Sequence, residues 1–431
     1  TMSRRPGCRG LRAAVVAVAL ALASGQSRAG SEGPSSGEGG GGPRRDETTP
    51  EKRGDVAVVA YLPEWRLHSA NFDVICRHVS HLIFFSLEVG TKRAIEAVDR
   101  FPTREVLAEA RRAARKHGTR LLVCFGGNGR SAGFSRMVRK PKLRATFARS
   151  VRTFLDAHGL DGVDLNWEYP GWSSRTGSYL GDDDVAADYD GLADLASELR
   201  ATLGPDKTIT MAYYPDSRQE VLLLGAARHV DLLHSMAYDA PTSSKKPRQP
   251  HEKKKRPPSL DTTKELTHSP LALATRSLAQ AFAFQKKHAL GVPFYGRDVD
   301  ARGDWTTYED IAQRAWPLDP ETDVIAAEDA PDALVGFNGV ATIEAKVEAA
   351  IAADAAGVMI WEVGQDCRLE PVTRLGATHE VTCPDPKASL LLAITRAIKR
   401  SGRRRATWYP PQQRKPSSWG ERPTPSRTPE L

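Results

Sequence analysis

Three polar side chains alternate with apolar ones in the stretch DGVDLNWEYP, residues 161–170. Asp164, Asn166 and Glu168 are two positions apart. In a β-strand, residues i, i+2 and i+4 lie on one face, so these three side chains point the same way. A row of polar groups that ends in a glutamate, on a strand with an apolar back, suits a site for proton transfer. The alternative is an edge strand whose polar face lies in water.

Strand and helix patterns alternate around this stretch. The predicted helices are residues 104–117, 141–158, 187–203, 272–288, 343–355 and 390–399. The predicted strands are residues 56–65, 81–89, 120–127, 161–168, 208–214, 230–238, 289–295 and 357–361. Short buried strands separated by helices favour a parallel α/β fold, and eight strands close a (β/α)8 TIM barrel. Periodicity leaves a doubly wound open sheet as the alternative.

The active site of a TIM barrel forms at the carboxyl ends of its strands. There the sequence places Glu168, many aromatic residues and a few polar ones. Sugars present apolar CH faces and a rim of hydroxyls, so this composition favours a carbohydrate site. The candidates are Tyr61, Trp65, Phe85, Gly127, Asn128, Tyr169, Met236, Tyr238, Asp239, Arg297 and Trp361.

Several motifs, in order along the chain, resemble those of one family. DGVDLNWEYP resembles the active-site pattern DGxDxDWEYP of the family 18 glycoside hydrolases, the chitinases and their relatives. AYLPEW, FGG followed by GFS, MAYD, GVPFYGR and GVMIWEVGQD are also similar to family motifs. Together they extend over roughly residues 56–399, and they imply a single TIM-barrel catalytic domain.

The resemblance implies a secreted hydrolase of β-1,4-linked N-acetylglucosamine polymers. It also implies a substrate-assisted retaining mechanism, without a protein nucleophile, metal or cofactor. Glu168 would be the general acid and base, and Tyr238 would bind the acetamido oxygen. Trp361 would form the floor under the distorted sugar. The other implied roles are Asp164 beneath Asn166, Asp239 and Arg297 in the pocket wall, and Asp161 in the structure.

Three departures from the family pattern bear on function. Asn166 stands where an active member has Asp, and Asn128 stands where a Trp is common. The segment between the seventh and eighth strands predicts at most a short insertion, hence a shallow groove and endo action. Asn166 keeps two alternatives open. One is a chitin-binding lectin with little activity, and the other is an endo-N-acetylglucosaminidase acting on N-glycan cores.

Composition divides the chain into segments. Residues 1–29 predict a secretory signal peptide, and residues 30–54 a disordered linker. The catalytic domain takes residues 55–400. Its basic insertion, residues 241–261, and the tail, residues 401–431, predict disorder.

Partners follow from these assignments. We expect a secreted monomer with no membrane span after signal removal. The basic segments predict solvated chain, with contact to an anionic polymer or membrane as the alternative. Nucleic acid is not expected as a partner, because no nucleic-acid-binding fold is recognisable.

The cysteines fit a secreted protein. Cys367 and Cys383 flank a loop-like segment and predict a disulfide. Cys124 lies in an apolar run, and its pairing with Cys76 stays open. No motif has metal-ligand spacing, so no metal site is predicted.

Overall fold

The structure is a computed structural model. It describes residues 55–90, 93–173, 176, 178–215, 217–239, 271–298, 305–326, 334–374 and 376–408. The predicted signal peptide, the linker, the basic insertion and the end of the tail lie outside the described residues.

Strands are short throughout the described residues. They are β1 (Ala57–Pro63), β2 (His81–Val89), β3 (Ile95–Glu96), β4 (Arg120–Gly126), β5 (Gly162–Asn166), β6 (Trp172–Ser173), β7 (Ser178–Tyr179), β8 (Thr208–Tyr213), β9 (Leu232–Ser235), β10 (His288–Pro293), β11 (Tyr295–Asp298), β12 (Trp305–Thr307), β13 (Val324–Ala326), β14 (Leu334–Gly336), β15 (Gly357–Trp361), β16 (Val372–Arg374) and β17 (Ala377–His379).

Helices lie between the strands. They are α1 (Phe72–His78), α2 (Arg104–His117), α3 (Phe134–Val138), α4 (Pro141–His158), α5 (Asp182–Leu203), α6 (Ser217–Leu222), α7 (Leu224–Ala227), α8 (Leu271–Gln280), α9 (Tyr308–Arg314), α10 (Val340–Ala352) and α11 (Leu390–Arg400).

Eight parallel strands close into a barrel. Their order around the sheet is β1, β15, β10, β9, β8, β5, β4 and β2, and β1 also pairs with β2. The predicted TIM barrel is therefore confirmed. The open doubly wound sheet is excluded because β1 pairs with β15 on one side and with β2 on the other, which leaves the sheet closed.

Successive side chains of each barrel strand point alternately outward to the helices and inward to the barrel interior. On β5, Val163 and Leu165 pack with the helices in the large outer core, whereas Asp164 and Asn166 are buried on the opposite face. A smaller cluster that includes Tyr61, Phe85 and Met359 occupies the inside of the barrel. The predicted alternation thus places the polar row of the sequence inside the barrel.

An insertion separates β10 from β15. It holds an antiparallel sheet in the order β12, β11, β14, β13, together with helix α9. The sequence predicts at most a short insertion here. The insertion is short, and its strand β11 carries Tyr295 and Arg297, which both contact Asp239.

The start of the tail belongs to the barrel. Arg405 pairs with Val56 in a parallel bridge, and its guanidinium donates to the carbonyls of Val79 and His117. Trp408 lies 3.9 Å from the Arg120 guanidinium. The prediction of disorder from residue 401 onward is therefore wrong for residues 401–408.

The predicted disulfide is present, and the open question about the other two cysteines has an answer. Cys367 and Cys383 form a disulfide, whereas Cys76 and Cys124 are buried and free. In the described part of the chain, no helix combines the length and apolarity needed to cross a bilayer.

Candidate active site

Strand β5 delivers the acidic end of the site. Asp164 and Asn166 are 0% and 2% exposed on the inner face of the barrel, and Glu168 follows two residues beyond Asn166. Asp161, ahead of the strand, accepts a hydrogen bond from the backbone N–H of Leu121, at 2.9 Å. This bond connects the start of β5 to β4.

Asp164 is held by hydroxyl groups inside the barrel. It accepts from Tyr61 Oη at 2.9 Å and from Thr210 Oγ1 at 2.6 Å. Burial raises the pKa of Asp164 to about 6, while the hydrogen bonds from Thr210, Cys124 and Tyr61 oppose that rise. These bonds stabilise the ionised form of Asp164 in a low-dielectric interior.

His234 adds an imidazole to this network. Its Nδ1 lies 3.0 Å from Tyr61 Oη and 3.5 Å from Asp164 Oδ1. Burial lowers the pKa of His234 to about 3, so the ring is neutral near pH 7. Because Tyr61 donates to Asp164, Nδ1 of His234 carries the hydrogen and donates to Tyr61.

Glu168 is largely shielded from water. Burial raises its pKa to about 7, and hydrogen bonds from Tyr169, Asn166 and the backbone N–H of Asn128 act in the opposite direction. The backbone N–H of Glu168 donates to Ser131 Oγ at 3.1 Å. A carboxyl group with this pKa exchanges its proton near neutral pH, as a general acid and base requires.

Asn166 uses only one end of its amide. The amide NH2 donates to Glu168, while Oδ1 is buried and has no hydrogen-bond partner among the described residues. The resemblance implies that Asp164 lies beneath Asn166, and the hydrogen bonds of Asp164 go to Tyr61, Thr210 and Cys124. A buried unpaired acceptor is unfavourable, so Oδ1 is suited to receive an N–H from a ligand.

The wall beside this amide consists of phenols and one ion pair. Tyr238 is buried, and burial together with nearby Glu168 and Asp239 raises its pKa. Asp239 accepts from Tyr295 Oη at 3.0 Å and pairs with Arg297 Nη1 at 3.1 Å. The structure thus brings Tyr238, Asp239 and Arg297 into one wall, and Met236 is buried in the inner cluster below it.

Aromatic rings form the floor of the barrel mouth. Trp361 contacts Phe85 at 4.8 Å and Tyr61 at 5.5 Å between ring centroids. Trp65 contacts Phe85 edge to face at 6.2 Å and is 47% exposed, so it lies at the rim. Arg130 lies over the Trp65 and Phe85 rings and pairs with Glu64 at 2.7 Å.

Gly127 meets a specific steric demand at this floor. Its φ is 108°, and a Cβ there would lie 2.3 Å from the Phe85 ring. Only glycine fits this backbone against that ring. The next residue, Asn128, contributes its backbone N–H to Glu168.

Sequence reasoning missed three contributors to the site. Trp305, on β12, stacks on Tyr295 at 4.3 Å, lies 4.8 Å from the Arg297 guanidinium and is 53% exposed. Cys124 and His234 enter the Asp164 network from inside the barrel. Cys124 and His234 could have been found from the sequence, because both lie at inward-facing positions of predicted strands. No local pattern in the sequence indicates that Trp305 stacks on Tyr295.

Residues 57–366 match the family model described as Glycosyl hydrolases family 18. The chain belongs to glycosyl hydrolase family 18. It is 26% identical over 393 residues to a Drosophila melanogaster protein described as probable chitinase 2, covering 74% of this chain and 75% of the fly protein.

Solved structures share the fold of this family 18 chain. Catalytic domain 2 of the Ostrinia furnacalis Group II chitinase, in complex with penta-N-acetylchitooctaose, superposes with a TM-score of 0.60 at 20% identity. The match covers 80% of this chain and 96% of that one. The Group IV chitinase of the same moth, in complex with allosamidin, gives 0.58 at 20% identity, over 81% and 100% of the two chains.

Proposed function

We propose that this family 18 chain is a secreted, monomeric hydrolase of β-1,4-linked N-acetylglucosamine polymers. The observation that carries the proposal is that one pocket holds both the Glu168 carboxyl group and the Asn166 Oδ1 atom, which has no hydrogen-bond partner among the described residues. The first supplies a proton near neutral pH, and the second accepts an N–H inside the same pocket. The acetamido group of N-acetylglucosamine offers such an N–H next to the reacting carbon.

In the first step, the Glu168 carboxyl gives its proton to the glycosidic oxygen, and the bond from that oxygen to the sugar carbon breaks. The acetamido oxygen of the same sugar bonds to that carbon, so an oxazolinium ring forms and the leaving sugar departs with the proton. Tyr238 donates to the acetamido group while Asn166 Oδ1 holds its N–H.

In the second step, the Glu168 carboxylate takes a proton from water. The resulting hydroxide equivalent attacks the sugar carbon, the oxazolinium ring opens, and the configuration is retained. We propose endo action, which releases oligosaccharides of mixed length. Solved relatives of this fold hold a chito-oligosaccharide and allosamidin, which supports an N-acetylglucosamine-based ligand.

Glu168→Gln tests the proposal directly. The amide keeps the shape of the side chain but has no transferable proton, so we expect turnover of chito-oligosaccharides to fall by about 10²–10⁴-fold or more. Products are read by mass spectrometry. The control is Glu348→Gln on α10, whose carboxylate pairs with Arg400 on the outer helix layer.

Three outcomes would count against this proposal. Full hydrolysis by Glu168→Gln would remove Glu168 from the mechanism. Oligosaccharide binding without hydrolysis by the unmodified chain would assign it to the chitin-binding lectins. Release of glycans from a glycoprotein, with chito-oligosaccharides left intact, would instead favour cleavage of N-glycan cores.

A further inference from the structure

A small hairpin rises directly after the catalytic strand. It consists of β6 and β7, with Trp172 opposite Tyr179 and Ser173 opposite Ser178. Two backbone bonds fix its base, from Trp172 N–H to the Tyr169 carbonyl at 2.9 Å and from Leu180 N–H to the Gly171 carbonyl at 2.8 Å. We call the described residues among 171–180 the Trp172 hairpin.

Two large rings stand exposed on this hairpin. Trp172 and Tyr179 are 40% and 44% exposed, and they meet edge to face with centroids 5.1 Å apart. In this arrangement each ring keeps at least one broad face clear of the other. Exposing two such rings to water is unfavourable in free energy, and a ligand stacked on them would remove part of that apolar surface from water.

The hairpin is continuous with the candidate active site. Only three residues separate Glu168 from Trp172, and Tyr179 acts electrostatically on Tyr169, which hydrogen-bonds Glu168. Gly171 makes the close turn between them, with φ 74° and no room for a Cβ beside Val185. These contacts connect the two rings to Glu168 through Tyr169.

Three described residues of the hairpin, Ser173, Thr176 and Ser178, carry hydroxyl groups. Thr176 Oγ1 and Ser178 Oγ lie 3.0 Å apart, and Ser173 Oγ accepts from the Thr176 N–H at 3.4 Å. The broad faces of the aromatic rings match the apolar faces of a pyranose, and the nearby hydroxyl groups match its hydroxyl rim.

We propose that the Trp172 hairpin is an additional sugar-binding subsite, which holds N-acetylglucosamine units beyond the one processed at Glu168. Trp172 is the stacking surface, and Tyr179 braces it and contributes its hydroxyl. The inference rests on the proposed function, since it requires a chito-oligosaccharide at Glu168. Its consequence is a preference for long chains over short ones.

The test measures binding of two chain lengths in the Glu168→Gln background, where hydrolysis does not consume the ligand. Calorimetry with chitohexaose and chitotriose gives both affinities. Adding Trp172→Ala should weaken chitohexaose binding by about three- to tenfold, the worth of one aromatic stacking contact. Chitotriose binding should stay unchanged, and Trp172→Phe should restore part of the lost affinity.

The matched control is Phe282→Ala, an aromatic residue 70% exposed in the segment that leads into the start of β10, at the opposite end of the barrel. It should leave both affinities unchanged. Equal affinities in the parent and in Trp172→Ala would overturn the subsite alone. So would an equal loss for both ligands, which would show that Trp172 supports the fold of the central site. Absence of binding to either oligosaccharide in the parent would overturn the proposed function and the subsite together.

Discussion

The proton of Glu168 sets an upper limit on the working pH. Burial raises the pKa of Glu168 to about 7, and the group must be protonated to act as the acid of the first step. Since the protonated fraction falls as the pH rises through that value, kcat/KM should drop about tenfold per pH unit above it. The measurement is the rate on a soluble chito-oligosaccharide across neutral and alkaline pH. A constant rate well above pH 7 would contradict this assignment.

Asn166 supplies an acceptor but no charge. An Asp there would place a full negative charge beside the oxazolinium, and charge-assisted bonds are about twice as strong as neutral ones. Asn166→Asp should therefore raise turnover by about tenfold or more, a gain of ~1–3 kcal/mol in transition-state binding.

The same substitution should also shift the pH profile. It removes the amide donor to Glu168 and adds a like charge, and both changes raise the pKa of Glu168. The falling limb of kcat/KM should move to higher pH. The control is the double variant Asn166→Asp with Glu168→Gln, which should be as inactive as Glu168→Gln alone. A lower rate in a folded Asn166→Asp protein would show that the amide is suited to this site as it stands.

Helices whose ends carry local signals were predicted to the residue. α2 begins after Thr103, which accepts from the Val106 N–H, and ends just before Gly118, whose φ is 71°. α4 begins at Pro141 and ends just before Gly159, whose φ is also positive. Caps, first-turn proline and terminal glycine act within one or two turns, so a single sequence reveals them.

Elements held by distant partners were not predictable in this way. The pairing of Arg405 with Val56 joins residues far apart in the chain, and the tail composition around it indicates disorder. The same holds for the stacking of Trp305 on Tyr295 and for the Trp172 hairpin. Their aromatic residues are visible in the sequence, but their exposure and mutual contact depend on the folded barrel.

The tail segment 401–408 should contribute to stability. Val56 N–H donates to the Arg404 carbonyl and Ala406 N–H to the Val56 carbonyl, both at 2.8 Å, and Arg405 adds its two guanidinium bonds. Deleting residues 403–431 should therefore lower the free energy of unfolding by about 2–4 kcal/mol. Chemical denaturation measures the change.

Deleting residues 409–431 is the matched control, and it should leave the midpoint nearly unchanged because that stretch is rich in Pro, Arg and Ser. Equal midpoints for the two deletions would show that the bonds of Arg404, Arg405 and Ala406 add nothing to stability.

The site exists only at the scale of the whole barrel. Four separate parts of the chain supply Asp164, Tyr61, Trp361 and Tyr238. Closure of the sheet brings these residues together at one end of the barrel. The sequence predicted this assembly because parallel strands present their carboxyl ends on one side. It did not predict the bonds among these groups, since those depend on how far each side chain reaches across the interior.

Charge is unevenly distributed along the molecule. Residues 241–261 carry seven Lys or Arg and two acidic residues, a net +5 of the chain's +8. This insertion begins two residues after Asp239, which lies in the wall of the site. A basic segment that follows Asp239 in the chain would attract an anionic surface, whereas a neutral sugar gains nothing from its charge.

Replacing the seven basic residues of 241–261 by Ser and Gln tests this separation of roles. Retention on a heparin column should fall, and the difference from the unmodified chain should shrink as salt rises, because exposed charges are screened. Hydrolysis of a neutral chito-oligosaccharide should stay unchanged.

Deletion of residues 409–431, which removes four basic and two acidic residues, is the control and should weaken retention less. Unchanged retention of the insertion variant would assign these charges to solvated chain, and lost hydrolysis would show that the insertion takes part in the site.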